Sequence, residues 1–137
     1  MKIMITGGMG FIGSHLCDCL INVHDIIVVS KSQSKKDNLT QVLSKIKIEY
    51  LDITDFSKLE KIICKHNPEV IIHLAGQTSH SQSFENPIYD IDINAKSTLY
   101  ILETIRKHNL QCKFVLGSTF IVIGKPTQFP INEETPC

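Results

Sequence analysis

The chain has 137 residues, 42% hydrophobic and 20% charged, which suits one globular domain over 1–137 with room for a single core. Fourteen basic and fourteen acidic residues cancel, so there is no electrostatic footprint for nucleic acid or an acidic membrane surface, and small molecules are the expected partners. The apolar start meets glycine too soon for a signal peptide, and no stretch approaches the roughly 18 apolar residues of a spanning helix; a soluble, cytoplasmic protein is the expectation.

Lys2 to Thr6 is an apolar strand, followed by glycines at Gly7, Gly8, Gly10 and Gly13 and by a helix from Phe11 to about Ile21. A strand that turns sharply into a helix aims free backbone N–H groups and a positive dipole end at one point, where a dinucleotide diphosphate fits. Gly7 permits the tight turn, Gly10 lets the backbone approach the phosphates, and Gly13 lets helix and strand pack closely. The β-branched run Asp25 to Ser30 is a buried second strand. Lys31 to Asn38 reads as a loop, and a helix is expected from about Asp37 to Lys45. Ile46 to Leu51 is the third strand, after which Thr54 or Asp55 can cap a helix ending near His66. Glu69 to Leu74 is the fourth strand.

Asn86-Pro87 pairs a capping side chain with the residue favoured at the first helical position, so a long helix is expected from there to about His108. Its expected buried stripe is Ile88, Ile91, Ala95, Leu99, Leu102 and Ile105. Cys112 to Gly117 is the fifth strand, and the prolines beyond it make the tail irregular. This alternation predicts an α/β fold: a right-handed, doubly wound parallel sheet (Rossmann fold) of five strands in the order 3-2-1-4-5, with ligands beyond the carboxyl ends of the strands. Cys17, Cys19, Cys64, Cys112 and Cys137 form no C-x-x-C pair and read as reduced thiols; no metal is expected.

Each strand end carries polar or small residues. NAD binding usually calls for an acid at the end of the second strand, to accept from the adenosine ribose hydroxyls. This chain has Ser30-Lys31-Ser32 there, with Lys35 and Lys36 close by, so NAD is the expected cofactor while a ribose 2′-phosphate, and hence NADP, stays open. Asp52 either accepts from the adenine amino group, with Ile53 packed on the ring, or caps a helix. His73 reads as a packed strand-end histidine, and Leu74, Ala75 and Gly76 let a flat cofactor approach the backbone. Asn94 and Thr98, one helical turn apart, can face the cofactor ribose. Ser118 and Thr119 end the fifth strand, either as hydroxyls for a substrate alcohol or ketone or as turn hydroxyls.

Taken in order, Thr6-Gly-Gly-Met-Gly-Phe-Ile-Gly13, Asp52-Ile-Thr-Asp55, His73-Leu-Ala-Gly76, Asn94-x-x-x-Thr98, Ser118-Thr119 and Val122-Ile-Gly124 resemble the extended short-chain dehydrogenase/reductase family over the whole chain. Its members include nucleotide-sugar 4-epimerases, 4,6-dehydratases and decarboxylases. Ala75 to His80 and Phe84 to Pro87 look most like epimerases of the UDP-glucose 4-epimerase type. The resemblance implies that Gly7, Gly10, Phe11, Ile12 and Gly13 hold the diphosphate of NAD, with Asp52 and Ile53 at adenine. It places Leu74, Ala75 and Gly76 along the cofactor trough and Asn94 near the nicotinamide ribose. Gln77, Thr78 and Ser79 fall in a loop near the nucleotide-sugar substrate, beside Ser118. Thr119 matches the catalytic Ser/Thr.

The implied reaction is transient oxidation: a tyrosinate removes a sugar hydroxyl proton while hydride moves to the nicotinamide, and the ketone is then reduced again. The family's tyrosine acts with a lysine four residues later. Here the tyrosines are Tyr50, Tyr89 and Tyr100, followed at that spacing by Thr54, Ile93 and Thr104, so no Tyr-x-x-x-Lys is present, and Ile123 replaces the family's usual tyrosine before Gly124. The chain therefore reads as the N-terminal, cofactor-binding portion of such an enzyme, inactive by itself and a homodimer when complete. A natural short protein that binds a dinucleotide without turnover, as a sensor or interaction module, is the alternative.

Overall fold

The structure, a computed structural model, describes residues 1–126 and 129–136; the thiol of Cys137 lies outside them. Five parallel strands lie in the order β3-β2-β1-β4-β5, as expected: β1 Lys2–Thr6, β2 Asp25–Ser30, β3 Lys47–Tyr50, β4 Val70–His73 and β5 Lys113–Leu116. The helices are α1 Phe11–Leu20, α2 Phe56–His66, α3 His80–Glu85, α4 Pro87–Ile91 and α5 Ser97–Lys107. Both sheet faces are covered, which is why the central strands are continuously apolar rather than alternating. Met4, Ile27, Val29 and Ile71 pack with Leu59, Ile63 and Ile101 on the α2 and α5 side. Ile3, Ile5, Ile26 and Val28 pack with Cys17, Leu39 and Val42 on the α1 side. No helix among the described residues is long and apolar enough to cross a membrane.

The helix expected over Asp37 to Lys45 is absent. A 3-10 turn, Lys36–Leu39, stands in its place, followed by turns. Thr40 Oγ1 donates to Asp37 O at 2.7 Å, a carbonyl that a helix would use, and Asn38 Nδ2 ties the segment to Met9 O at 2.9 Å. Leu39 and Val42 are nevertheless buried, so the segment plugs the α1 face without being helical.

The long helix after Asn86 is interrupted by a π turn, Asp92–Lys96, and of the expected stripe only Ile105 packs against the core. Ile88, Ile91, Leu99 and Leu102 are exposed, as is Ala95; Ser97, Ile101 and Thr104 are buried. A π turn admits one extra residue, which rotates everything after it by roughly 100° relative to an unbroken α-helix; this accounts for Leu99 and Leu102 but not for Ile88 and Ile91, which precede it. Asn86 does cap α4, accepting Tyr89 N–H at 3.1 Å. The short α3 was not expected. Its signature was present as Ser79-x-x-Gln82, and Ser79 caps it.

Candidate functional site

The chain leaves β1 toward β2 and β4 on opposite sides, and at that switch point the carboxyl ends of the strands enclose a cavity of about 300 Å³. Its walls include Gly7 and Gly10 of the first turn, Ser30 and Lys31 after β2, Asp52 and Ile53 after β3, and Leu74, Ala75 and Gly76 after β4. Sequence reasoning named all of these. It missed Met9, Val29, Leu51 and Ile93 as apolar lining, and it left Ser34 unmentioned beside Ser32 and Lys35. Tyr89, whose hydroxyl meets Lys31 and Asp52, carried no local signal, since these partners lie 58 and 37 residues away.

The glycine turn is fixed by contact. Gly7 has φ +69°, and a Cβ there would stand 2.8 Å from Ala75 N and 2.9 Å from Leu74 C. A Cβ on Gly13 would fall 2.6 Å from both Gly7 O and Gly8 Cα, so α1 packs onto the turn at a distance only glycine allows. Gly10 differs: a Cβ meets only Gly7 O, at 3.1 Å, and further branches would fill the cavity it lines. The first bond that α1 makes is from Ser14 N–H to Gly10 O, at 2.9 Å. The amides of Phe11, Ile12 and Gly13 precede it and carry the helix's positive end, a cradle for an anion. Phe11 and Ile12 themselves are 80% and 61% exposed, so their side chains take no part in the core.

Asp52 is not a helix cap; Asp55 caps α2, accepting Lys58 N–H at 3.2 Å. Asp52 Oδ1 accepts from Thr54 N–H at 3.1 Å and from the Thr54 hydroxyl at 2.9 Å, and Oδ2 lies 2.9 Å from Lys31 Nζ. Burial pushes this carboxyl up, and the hydrogen bonds from Lys31 and Thr54 outweigh it, holding the group below its usual range. Lys31 Nζ also donates to Tyr89 OH at 2.9 Å, and these two hydrogen bonds raise its pKa further above that of a free lysine.

His73 is buried in the expected packed role. Ser97 Oγ donates to Ile93 O at 2.6 Å, so it accepts from His73 Nε2–H at 3.0 Å. His73 Nδ1 then accepts from the Thr6 hydroxyl at 2.7 Å, and Thr6 Oγ1 accepts from Ala75 N–H at 3.2 Å. This directed chain, which joins two walls of the cavity, assigns the neutral Nε2–H tautomer. Burial pushes the imidazole down to about 4.

Asn94 sits against Gly76 but outside the cavity wall. Its Oδ1 accepts Gln77 N–H at 2.8 Å, while Nδ2 donates to Gln77 O at 3.2 Å and to Asp90 Oδ1 at 3.2 Å. It pins the loop that carries Gln77, Thr78 and Ser79, and Ser83 Oγ completes the link by donating to Asp90 Oδ1 at 2.7 Å. The Thr98 hydroxyl donates to Asn94 O at 3.4 Å rather than into the cavity. Ser118 and Thr119 follow β5, separate from the lining, and Thr119 Oγ1 accepts Ile121 N–H at 3.3 Å to cap the 3-10 turn Phe120–Ile123. That bond uses a lone pair of Thr119 Oγ1, and among the described residues its proton has no acceptor.

The family model of GDP-mannose 4,6 dehydratase matches residues 4–137. A putative UDP-glucose 4-epimerase of Methanocaldococcus jannaschii is 40% identical over 136 residues, covering 98% of this chain and 43% of that protein. The UDP-glucose 4-epimerase of Thermotoga maritima, solved with UDP-glucose, superposes with a TM-score of 0.83 at 36% identity, covering 99% of this chain and 44% of the other. That of Bifidobacterium longum, in complex with NAD+ and UDP, gives 0.83 at 32% identity, over 99% and 42%. The chain thus spans less than half the length of these relatives. Its strand order, glycine turn and matched residues lead to one conclusion: the chain belongs to the GDP-mannose 4,6 dehydratase family, among the nucleotide-sugar epimerases and dehydratases its motifs resemble.

Proposed function

We propose that the chain is the cofactor-binding portion, over 1–137, of a nucleotide-sugar epimerase or dehydratase that works by transient hydride transfer between the sugar and a nicotinamide dinucleotide. The observation that carries this is the glycine turn. Gly7 and Gly13 leave no room for a Cβ, Gly10 opens onto the cavity, and the amides of Phe11, Ile12 and Gly13 that follow it, though not on the cavity wall, precede the first bond of α1. The Bifidobacterium longum epimerase, which shares the fold, was solved with NAD+.

In this reading Gly7, Gly10 and the amides of Phe11, Ile12 and Gly13 hold the diphosphate. Asp52 and Ile53 meet adenine, and Ser30 and Lys31 its ribose. Leu74, Ala75 and Gly76 form the floor of the trough, and Asn94 acts at one remove by fixing Gln77. When bound, the dinucleotide supplies a hydride acceptor. Thr119 orients the reacting sugar hydroxyl with its free proton, and Gln77, Thr78, Ser79 and Ser118 line the approach of the nucleotide sugar. None of the three tyrosines has the lysine spacing that would make it the base, so the 137 residues do not turn over alone.

Calorimetric titration of the chain with NAD+ tests the binding part, with a single site expected; no heat at millimolar cofactor would overturn it. Incubation with UDP-glucose and NAD+ should give no UDP-galactose. Turnover would show that the base lies within this chain.

A further inference from the structure

We propose that Lys31, Asp52 and Tyr89 form an autoinhibitory latch: the Tyr89 hydroxyl competes with an adenine nucleotide for the cavity's carboxylate, and the nucleotide must displace it to bind there. The inference rests on the dinucleotide reading above. Among the described residues, Asp52 is the one carboxylate on the cavity wall. A carboxylate offers about four lone-pair sites, two on each oxygen, and donors face all of them here. Oδ1 accepts from the Thr54 amide at 3.1 Å and from the Thr54 hydroxyl at 2.9 Å. Oδ2 accepts from Lys31 Nζ at 2.9 Å and from the Tyr89 hydroxyl at 3.5 Å. An adenine amino group only donates in this contact, so it gains Asp52 when one of these donors leaves.

The lengths single out the donor that yields. Thr54 lies two residues from Asp52, and its bonds belong to the turn that leads into α2. The Lys31 bond is short and joins opposite charges. The Tyr89 bond is the longest, at the limit for a hydrogen bond, and it reaches across 37 residues from α4 to the segment after β3. Tyr89 is nevertheless held in place. Its hydroxyl oxygen accepts from Lys31 Nζ at 2.9 Å, and that ammonium stands 5.1 Å from the ring centroid. Lys31 thereby keeps the hydroxyl beside Oδ2, so displacing it subtracts from the affinity of any ligand that uses this carboxylate.

Calorimetry of the 137-residue chain and of Tyr89→Phe, each with NAD+ and with deamino-NAD+, tests this. Phenylalanine keeps the ring beside Lys31 and removes only the hydroxyl, at a half-buried position outside both core clusters, so the variant should fold. Tyr89→Phe should bind NAD+ about threefold to tenfold more tightly, the scale of one net hydrogen bond. Deamino-NAD+ carries a carbonyl oxygen in place of the adenine amino group and cannot donate to Asp52 from that position, so its affinity should not change. AMP against IMP should repeat the contrast at the adenine end alone. Unchanged or weaker binding of NAD+ by Tyr89→Phe would overturn the latch and leave the dinucleotide reading standing. An equal gain for both dinucleotides would overturn it too, since the hydroxyl would then obstruct the cavity without competing for the carboxylate. Binding of neither dinucleotide by either protein would remove both readings.

Discussion

The two segments that frame the cavity are held by opposite means. The turn from β1 into α1 is fixed by backbone packed against backbone, with Gly7 and Gly13 at distances that admit no Cβ. The segment from Gly76 through the π turn is fixed by side chains, in a network running from Gln77 through Asn94 and Asp90 to Ser83. At Gly7 and Gly13 the first kind of order tolerates no side chain, and its glycines are written close together in the sequence. The second tolerates partial loss and is assembled from residues far apart in sequence.

The largest effect is expected at Gly13. Alanine normally gains about 1 kcal/mol over glycine inside a helix, yet here its Cβ meets backbone at 2.6 Å. Gly13→Ala should therefore lose about 3 kcal/mol or more in urea denaturation; a stabilised variant would refute the packing argument.

Next comes the buried imidazole between the two segments. His73 is neutral when folded, with its pKa pushed from 6.5 to about 4, and takes up a proton on unfolding below pH 6.5. Its contribution is fully present above that value and lost as pH falls toward 4, by about 3 kcal/mol across the window. Denaturant curves at a series of pH values should show this loss in the native chain and not in His73→Gln. Parallel curves would remove His73 as its source.

Smaller still, Asn94→Ala should cost about 1–2 kcal/mol and, more tellingly, speed hydrogen exchange at the Gln77 amide while leaving the bonded Gly7 and Gly10 amides protected. Ser79→Ala should remove only the α3 cap, about 0.5–1 kcal/mol. If Asn94→Ala proves as damaging as Gly13→Ala, the side-chain network is not the yielding partner described here.

This contrast also governs what could be read in the sequence. β2 was legible to the residue, because a parallel strand buried on both faces reads as an unbroken β-branched run, Asp25 to Ser30. The glycine turn was legible because the positive φ of Gly7 and the contacts of Gly13 with Gly7 and Gly8 lie within seven residues, although the contact of Gly7 with Leu74 and Ala75 does not. The buried face of α5 was not, since the π turn at Asp92–Lys96 shifts the phase of the periodicity and leaves no composition signal. Asp37 to Lys45 misled in another way: Leu39 and Val42 have helical spacing, but Asn38 and Thr40 divert the backbone into turns. Within the site, Asp52 could be placed at the cavity, but the pairing that holds it with Lys31 and Tyr89 depends on tertiary placement alone.

One measurement bears most directly on the proposal that the cavity holds a dinucleotide: thermal unfolding of the native chain and of Gly10→Val with and without nicotinamide dinucleotide. The valine branches enter the cavity rather than the core, so both proteins should fold, the native chain should melt several degrees higher at saturating cofactor, and Gly10→Val should show no shift. An unshifted native chain, or a Gly10→Val variant stabilised to the same extent, would contradict it.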